Sequence, residues 1–104
     1  MYAKWLIFPI LMVFLVHPVI SLQISEIMYN PAGTDTGKEW VEIYNNDSEQ
    51  YNITGWKLNT GGTDHSLNAP PTNGGRGTMV ISPGEYAAIA QDASYFTSNF
   101  TSFN

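Results

Sequence analysis

The fold is decided by the stretch EWVEIYN, residues 39–45. Four of its seven residues are β-branched or aromatic, the types that favour strands: Trp40, Val41, Ile43 and Tyr44. Successive side chains of a strand point to opposite faces. Val41 and Ile43 are therefore expected on one face, and Trp40 and Tyr44 on the other. The sequence predicts a strand over Glu39–Tyr44, which the turn residues after it bring to an end.

Short apolar or aromatic runs separated by turn residues continue on both sides of this stretch, and they predict an all-β domain. The other expected strands are Leu22–Tyr29, Asn52–Leu58, Asp64–Asn68, and a hairpin of Thr78–Ile81 with Glu85–Ala90 around Ser82-Pro83-Gly84. Only Asp92–Phe100 has a helical pattern, with Asp92 as the expected N-cap.

The first strand contains a carboxylate in an apolar stripe. Ile24, Glu26 and Met28 share a face if the strand is regular. A β-bulge near Glu26 would turn its side chain outward; without one, the carboxylate is buried and needs hydrogen-bond partners.

Length and composition limit the function classes. The chain has 104 residues, enough for one domain, and it has no cysteine. A disulfide scaffold, a thiolate metal site and a cysteine nucleophile are therefore excluded. Four basic residues stand against nine acidic ones, for a formal net charge of −5. A nucleic-acid partner is not expected, because such binders carry a basic patch.

The first 21 residues have the layout of a secretory signal. Lys4 supplies the positive charge, Trp5–Val16 is apolar, and Val19 and Ser21 stand at the −3 and −1 positions of a cut before Leu22. Residues 1–21 are therefore predicted to form an apolar signal helix and residues 22–104 the domain. The protein is expected to be secreted or held at the cell surface, or anchored in the membrane if the signal is not cleaved.

Four blocks of the chain, in order and with matching spacing, resemble the lamin-tail domain family. They read ISEIMYNP over residues 24–31, EWVEIYN over 39–45, ITGWKL over 53–58 and ISPGEY over 81–86. The positions that carry the family motif are Glu26, Asn30, Pro31, Glu39, Trp40, Glu42, Asn45, Gly55, Trp56, Pro83 and Gly84. The resemblance implies an immunoglobulin-like β-sandwich, a non-catalytic module of the exported prokaryotic type, and no shared ligand.

One departure from the family concerns the C-terminus. The family continues for two or three more strands where this chain ends at Asn104. Six strands are expected here, against about seven in a constant-type immunoglobulin sandwich. The expected domain is therefore C-terminally incomplete, with an open sheet edge that accepts a strand from a partner, pairs with a second copy, or leaves the domain poorly folded.

No enzyme is predicted. His65 lies between Asp64 and Ser66, but neighbours in a strand point to opposite faces and do not converge as a catalytic triad does. No nucleophile elbow, zinc helix or phosphate loop occurs, so no catalytic residue is assigned.

No cofactor is predicted, although oxygen ligands are plentiful enough for calcium to be the metal considered. Its candidate ligands are Asp35, Asn45 and Asp47, and solvated acidic loops are the favoured interpretation.

Three Asn-x-Ser/Thr sequons mark glycosylation candidates at Asn46, Asn52 and Asn99. Trp40 and Trp56 are candidates for stacking on sugars, but the favoured interpretation is that at least one of them is a core residue.

Two functions are weighed. The first is a binding or structural module of the cell surface with a protein or carbohydrate ligand, including a strand-donating partner. The alternative is an accessory domain of a secreted hydrolase or nuclease that is separate from its catalytic partner.

Overall fold

A computed structural model describes residues 21–101 of the chain. The predicted signal, apart from Ser21, lies outside the described residues. Seven strands and two short helices follow one another in this part of the chain. The strands are β1 (Leu22–Met28), β2 (Trp40–Asn45), β3 (Tyr51–Asn52), β4 (Lys57–Thr60), β5 (Thr63–Ser66), β6 (Val80–Ile81) and β7 (Tyr86–Ala90). The helices are a 3-10 turn (Thr72–Gly74) and α1 (Ala93–Asn99). The predicted all-β class is confirmed.

The main sheet has the strand order β1-β2-β7, and both pairings are antiparallel. Two small antiparallel sheets, β3-β6 and β4-β5, complete the described strands. As predicted, Val41 and Ile43 lie on one face of β2, opposite Ile89 and Ala87 of β7. This inner face packs against β3 and β6, where Ile53 and Ile81 are buried with Ile43. Burial of each such side chain contributes about 1.5–3 kcal/mol.

The outer face of the main sheet has a second apolar cluster. Trp40 is 7% exposed and meets Phe96 and Phe100 edge-on, at ring-centroid distances of 5.4 and 5.3 Å. Phe96 lies in α1, which begins as predicted, with the Asp92 carboxylate accepting a hydrogen bond from the Tyr95 N–H at 3.0 Å. The helix therefore covers the end of β2 and packs Phe96 against the Trp40 ring.

The expected hairpin of Thr78–Ile81 with Glu85–Ala90 is wrong. β6 pairs with β3, while β7 pairs with β2, so the chain crosses from one sheet to another at Ser82–Glu85. The expected third strand is also divided into β3 and β4 by a turn at Gly55, whose φ of +79° is in the left-handed region that favours glycine.

No helix within residues 21–101 has the length and apolar character that a membrane crossing requires.

Candidate functional site

A groove of about 960 Å³ runs along β7. Its walls include every residue from Glu85 to Gln91, and the segments Gly75–Ile81 and Ser66–Asn68. Val41, Ile53 and Met79 contribute apolar side chains from the inner face. A long apolar groove beside a strand is suited to an extended chain rather than to a compact ligand.

One edge of β7 has no partner strand among residues 21–101. The Asn45 N–H donates to the Glu85 carbonyl at 3.0 Å, and the Gln91 N–H donates to the Glu39 carbonyl at 2.9 Å. Backbone groups of an antiparallel pair alternate in direction along the strand. The N–H and C=O groups of Tyr86, Ala88 and Ala90 therefore point away from β2, along the groove.

The opposite edge of the main sheet, β1, is different. The register against β2 shifts between Ile24 and Glu26, so Ser25 forms a β-bulge. Its hydroxyl donates to the Glu42 carboxylate at 2.6 Å. Glu26 lies directly opposite Glu42, on the outer face. The outward position of Glu26 confirms the bulge interpretation, and a bulge with charged side chains is a common device against strand addition.

Exposed apolar side chains lie on or just after β1, before β4 and at the start of β7. Five large hydrophobic residues are 45–74% exposed: Ile24, Ile27, Tyr29, Trp56 and Tyr86. A smaller apolar cavity of about 150 Å³ lies between β1 and the start of β4, and it is lined in part by Ile24, Trp56 and Leu58. Trp40 is thus a core residue and Trp56 is partly exposed, as the sequence interpretation of the two tryptophans allowed.

Asn45, a candidate calcium ligand, is fully buried and its side chain is occupied by the protein. The amide NH₂ donates to the carbonyls of Glu49 at 2.8 Å and Ile81 at 2.9 Å. The amide oxygen accepts from the Asp47 N–H at 2.8 Å. Asn45 therefore ties the end of β2, the following turn and β6 together, and its place in the motif is explained by these bonds.

The carboxylate of Asp47, the second calcium candidate, caps the same turn. Its Oδ1 accepts from the backbone N–H groups of Ser48 and Glu49, and its Oδ2 accepts from the Tyr51 hydroxyl at 2.7 Å. The hydrogen bond from Tyr51 is the main cause that lowers the pKa of Asp47, and it raises the pKa of Tyr51 in turn. Both side chains are half-buried, and the hydrogen bond between them, more than desolvation, causes each shift.

Asp35 lies in a separate exposed loop, where its backbone carbonyl accepts from the Lys38 N–H at 3.1 Å. No group of three or more His, Asp or Glu side chains positioned to hold a metal ion is found within residues 21–101.

The three glycosylation candidates, Asn46, Asn52 and Asn99, are all exposed. The Asn52 side-chain oxygen accepts from the Thr54 N–H at 3.0 Å, and the Asn99 amide donates to the Tyr95 carbonyl at 2.8 Å. Exposure makes each side chain accessible to modification.

His65 and Asp64 bond to different partners on the exposed β4-β5 hairpin. The His65 ring nitrogen Nε2 lies 2.7 Å from the Thr60 hydroxyl, whereas the Asp64 carboxylate accepts from the Asn59 amide at 2.8 Å. The two side chains therefore do not form a relay with Ser66.

Several of the remaining family-motif residues lie in turns. Asn30 has a φ of +51°, a conformation that asparagine adopts more readily than most residues, and Pro31 follows it. Gly84 has a φ of +78° in the turn with Pro83, and its N–H donates to the Asn45 carbonyl at 2.9 Å. Glu39 is exposed at the groove.

Sequence reasoning missed two features of this site: the hydrogen bonds of Asn45 and the location of the open edge at β7. The first has no sequence signal beyond an asparagine after a strand. The second could have been suspected from YAAIA, residues 86–90, a strand without charge, proline or glycine.

A family model described as Lamin Tail Domain matches residues 16–103 of the chain. No curated protein and no solved structure matches the chain.

Proposed function

Because the chain belongs to the lamin tail domain family, an immunoglobulin-like non-catalytic family, we propose that it is an exported binding or structural module of the cell surface. The mature chain has three basic residues against nine acidic ones, which opposes contact with phosphate backbones. Its ligand is a protein or a carbohydrate, and no cofactor takes part.

The observation that carries this proposal is the amount of large apolar surface left open on a small sandwich. Five large hydrophobic side chains are 45–74% exposed, and the groove along β7 is mostly apolar. Exposed apolar patches of this kind mark interaction surfaces in soluble domains. The surface of residues 21–101 is therefore suited to holding a partner.

Export is tested on the whole chain with a C-terminal epitope tag in its host. The expected result is a surface or secreted protein whose N-terminus, measured by mass spectrometry, lies near Leu22. The matched control is Leu11→Arg with Phe14→Arg, which breaks the apolar run and should keep the chain inside the cell. An intact Met1 in the membrane fraction would instead identify an anchored protein, and an intact Met1 in the cytosol would contradict export.

Absence of catalysis is tested on the same material. Ester, peptide, glycoside and nucleic-acid substrates should stay at background. Activity that disappears in a folded His65→Ala variant would overturn the non-catalytic assignment. Constant co-purification with a secreted hydrolase would favour the accessory-domain alternative.

A further inference from the structure

We propose that the open edge of β7 binds an extended peptide with the alternating pattern basic-x-apolar-x-apolar-x-basic, which adds to the main sheet as a fourth strand. The proposal rests on the proposed binding role and names its surface and the chemistry of its partner.

The backbone supplies the first part of the argument. Tyr86, Ala88 and Ala90 present three N–H and three C=O groups along the groove, and no strand within residues 21–101 pairs with them. Five residues of β7 extend about 17 Å at roughly 3.3 Å per residue, so a partner of five to seven residues covers the edge. Main-chain hydrogen bonds to an exposed sheet edge supply affinity in β-strand addition.

The inner face of the main sheet determines which residues of the peptide are apolar. Ala87 and Ile89 point to the inner face, opposite Ile43 and Val41. Residues of an incoming strand that pair with Ala87 and Ile89 enter the groove beside Ile53 and Met79. Because Ala87 is small, a larger apolar side chain fits across from it. These two positions are separated by one residue that faces outward, which gives the x in the pattern.

Two carboxylates near the ends of β7 indicate basic residues at the two ends of the peptide. Glu85 precedes β7, and Glu39 lies beside Gln91 at the other end. Both are exposed and both line the groove, and the Glu85 carboxylate also accepts a hydrogen bond from the Ser82 N–H at 2.8 Å. A basic residue at each end of the bound peptide extends toward one of them, although Glu39 lies on the β2 side of Gln91 and is reached only by a long side chain. The mature chain, with three basic residues against nine acidic ones, attracts such a peptide over a longer range.

The same charges argue against a second copy as the occupant. Antiparallel pairing of two β7 strands would place Glu85 of one copy near Glu39 of the other, and β7 itself has no lysine or arginine to compensate. Like charges brought together in this way disfavour self-pairing.

The test is a titration of the exported, ¹⁵N-labelled protein with the capped peptide Lys-Thr-Val-Thr-Val-Thr-Lys, followed by amide NMR. The expected result is saturable shifts and slowed hydrogen exchange at Tyr86, Ala88 and Ala90. Replacing both peptide lysines with glutamate should weaken binding about tenfold or more at low salt, and the difference should shrink as salt rises. Replacing the central threonine with proline should abolish binding, although the protein itself is unchanged.

Two protein variants test whether the peptide binds at the edge of β7 or at the edge of β1. Ala88→Pro removes an edge N–H without removing a bond to β2, and it should weaken binding about tenfold. Ile24→Pro is the matched control, because alternation from the bond between the Asn46 N–H and the Ser21 carbonyl puts the Ile24 N–H on the open side of β1, and it should bind like the parent.

Other results would overturn the inference. Saturable shifts confined to β1, equal binding of the acidic peptide, or no binding at all would each do so. So would edge amides of β7 that are already protected before peptide is added, whether in a concentration-dependent dimer or by another part of the chain. Each of these results contradicts only the assignment of the peptide site to β7. A protein that fails this test but is exported, inactive as an enzyme and bound to another ligand keeps the proposed function.

Discussion

Replacement of Asn45 by alanine should remove much of the domain's stability. The substitution deletes three hydrogen bonds, to Glu49, Ile81 and Asp47, each with a net contribution of about 1 kcal/mol. It also leaves the carbonyl of Ile81, a residue only 2% exposed, without that donor, at a cost of about 1–3 kcal/mol. Because these contributions overlap, the expected loss is about 3–5 kcal/mol, close to the whole stability of a domain of this size.

Urea unfolding followed by far-ultraviolet circular dichroism measures this loss. The matched control is Asn46→Ala, the neighbouring exposed asparagine, which should stay within about 0.5 kcal/mol of the parent. A loss below about 1 kcal/mol for Asn45→Ala, with an unchanged slope against urea, would refute the assignment of Asn45 as a buried tie between β2 and β6.

A second variant separates hydrogen bonding from cavity formation. Asn45→Asp keeps the side-chain size and the acceptor for the Asp47 N–H, but it places a carboxylate against the carbonyls of Glu49 and Ile81. It should destabilise the domain at neutral pH at least as much as alanine does. Its difference from the parent should shrink as pH falls from neutrality and should level off by about pH 4, because burial against two carbonyls raises the pKa of the new carboxyl and its protonated form can donate. A cavity effect alone would show no such pH dependence.

Two further predictions concern the aromatic residues. Trp40→Ala should cost about 3–5 kcal/mol in urea unfolding, whereas Trp56→Ala, at a position 45% exposed, should cost clearly less; equal losses would contradict the burial of Trp40. Tyr51→Phe should flatten the dependence of melting temperature on pH, because the Asp47–Tyr51 bond contributes above the ordinary aspartate pKa of 3.8 and is lost as pH falls through the lowered folded value. At the alkaline end the bond contributes below the ordinary tyrosine pKa of 10.0 and is lost as pH rises through the raised folded value; parallel curves for parent and variant would contradict this linkage.

The parts of the fold that sequence predicts well are those that local patterns determine. The alternation of residues 39–45 places Val41 and Ile43 on the inner face and Trp40 on the outer face, as observed. Asp92 caps α1 because its carboxylate reaches the Tyr95 N–H, a short-range bond that a helix start signal predicts.

The predictions that failed depend on long-range pairing. Ser82-Pro83-Gly84 has the composition of a hairpin turn, and the Glu85 N–H does donate to the Ser82 carbonyl at 3.0 Å. Yet the Gly84 N–H donates to the Asn45 carbonyl, a bond that fixes the turn to the end of β2. β7 then pairs with β2 instead of β6, and no local pattern indicates that choice. Asn45 itself is followed by Asn46 and Asp47, so it has the sequence context of a turn, whereas tertiary contacts bury it completely.

The contrast between the two edges of the main sheet is the strongest reason to assign the binding surface to β7. β1 has a bulge at Ser25 and the facing carboxylates Glu26 and Glu42, features that hinder the addition of another strand. β7 has none of these, and its outer face includes two alanines at Ala88 and Ala90. Both side chains are half-buried, and Ala90 lies opposite Trp40 of the outer cluster. Small side chains do leave the backbone edge accessible, which is what an incoming strand requires.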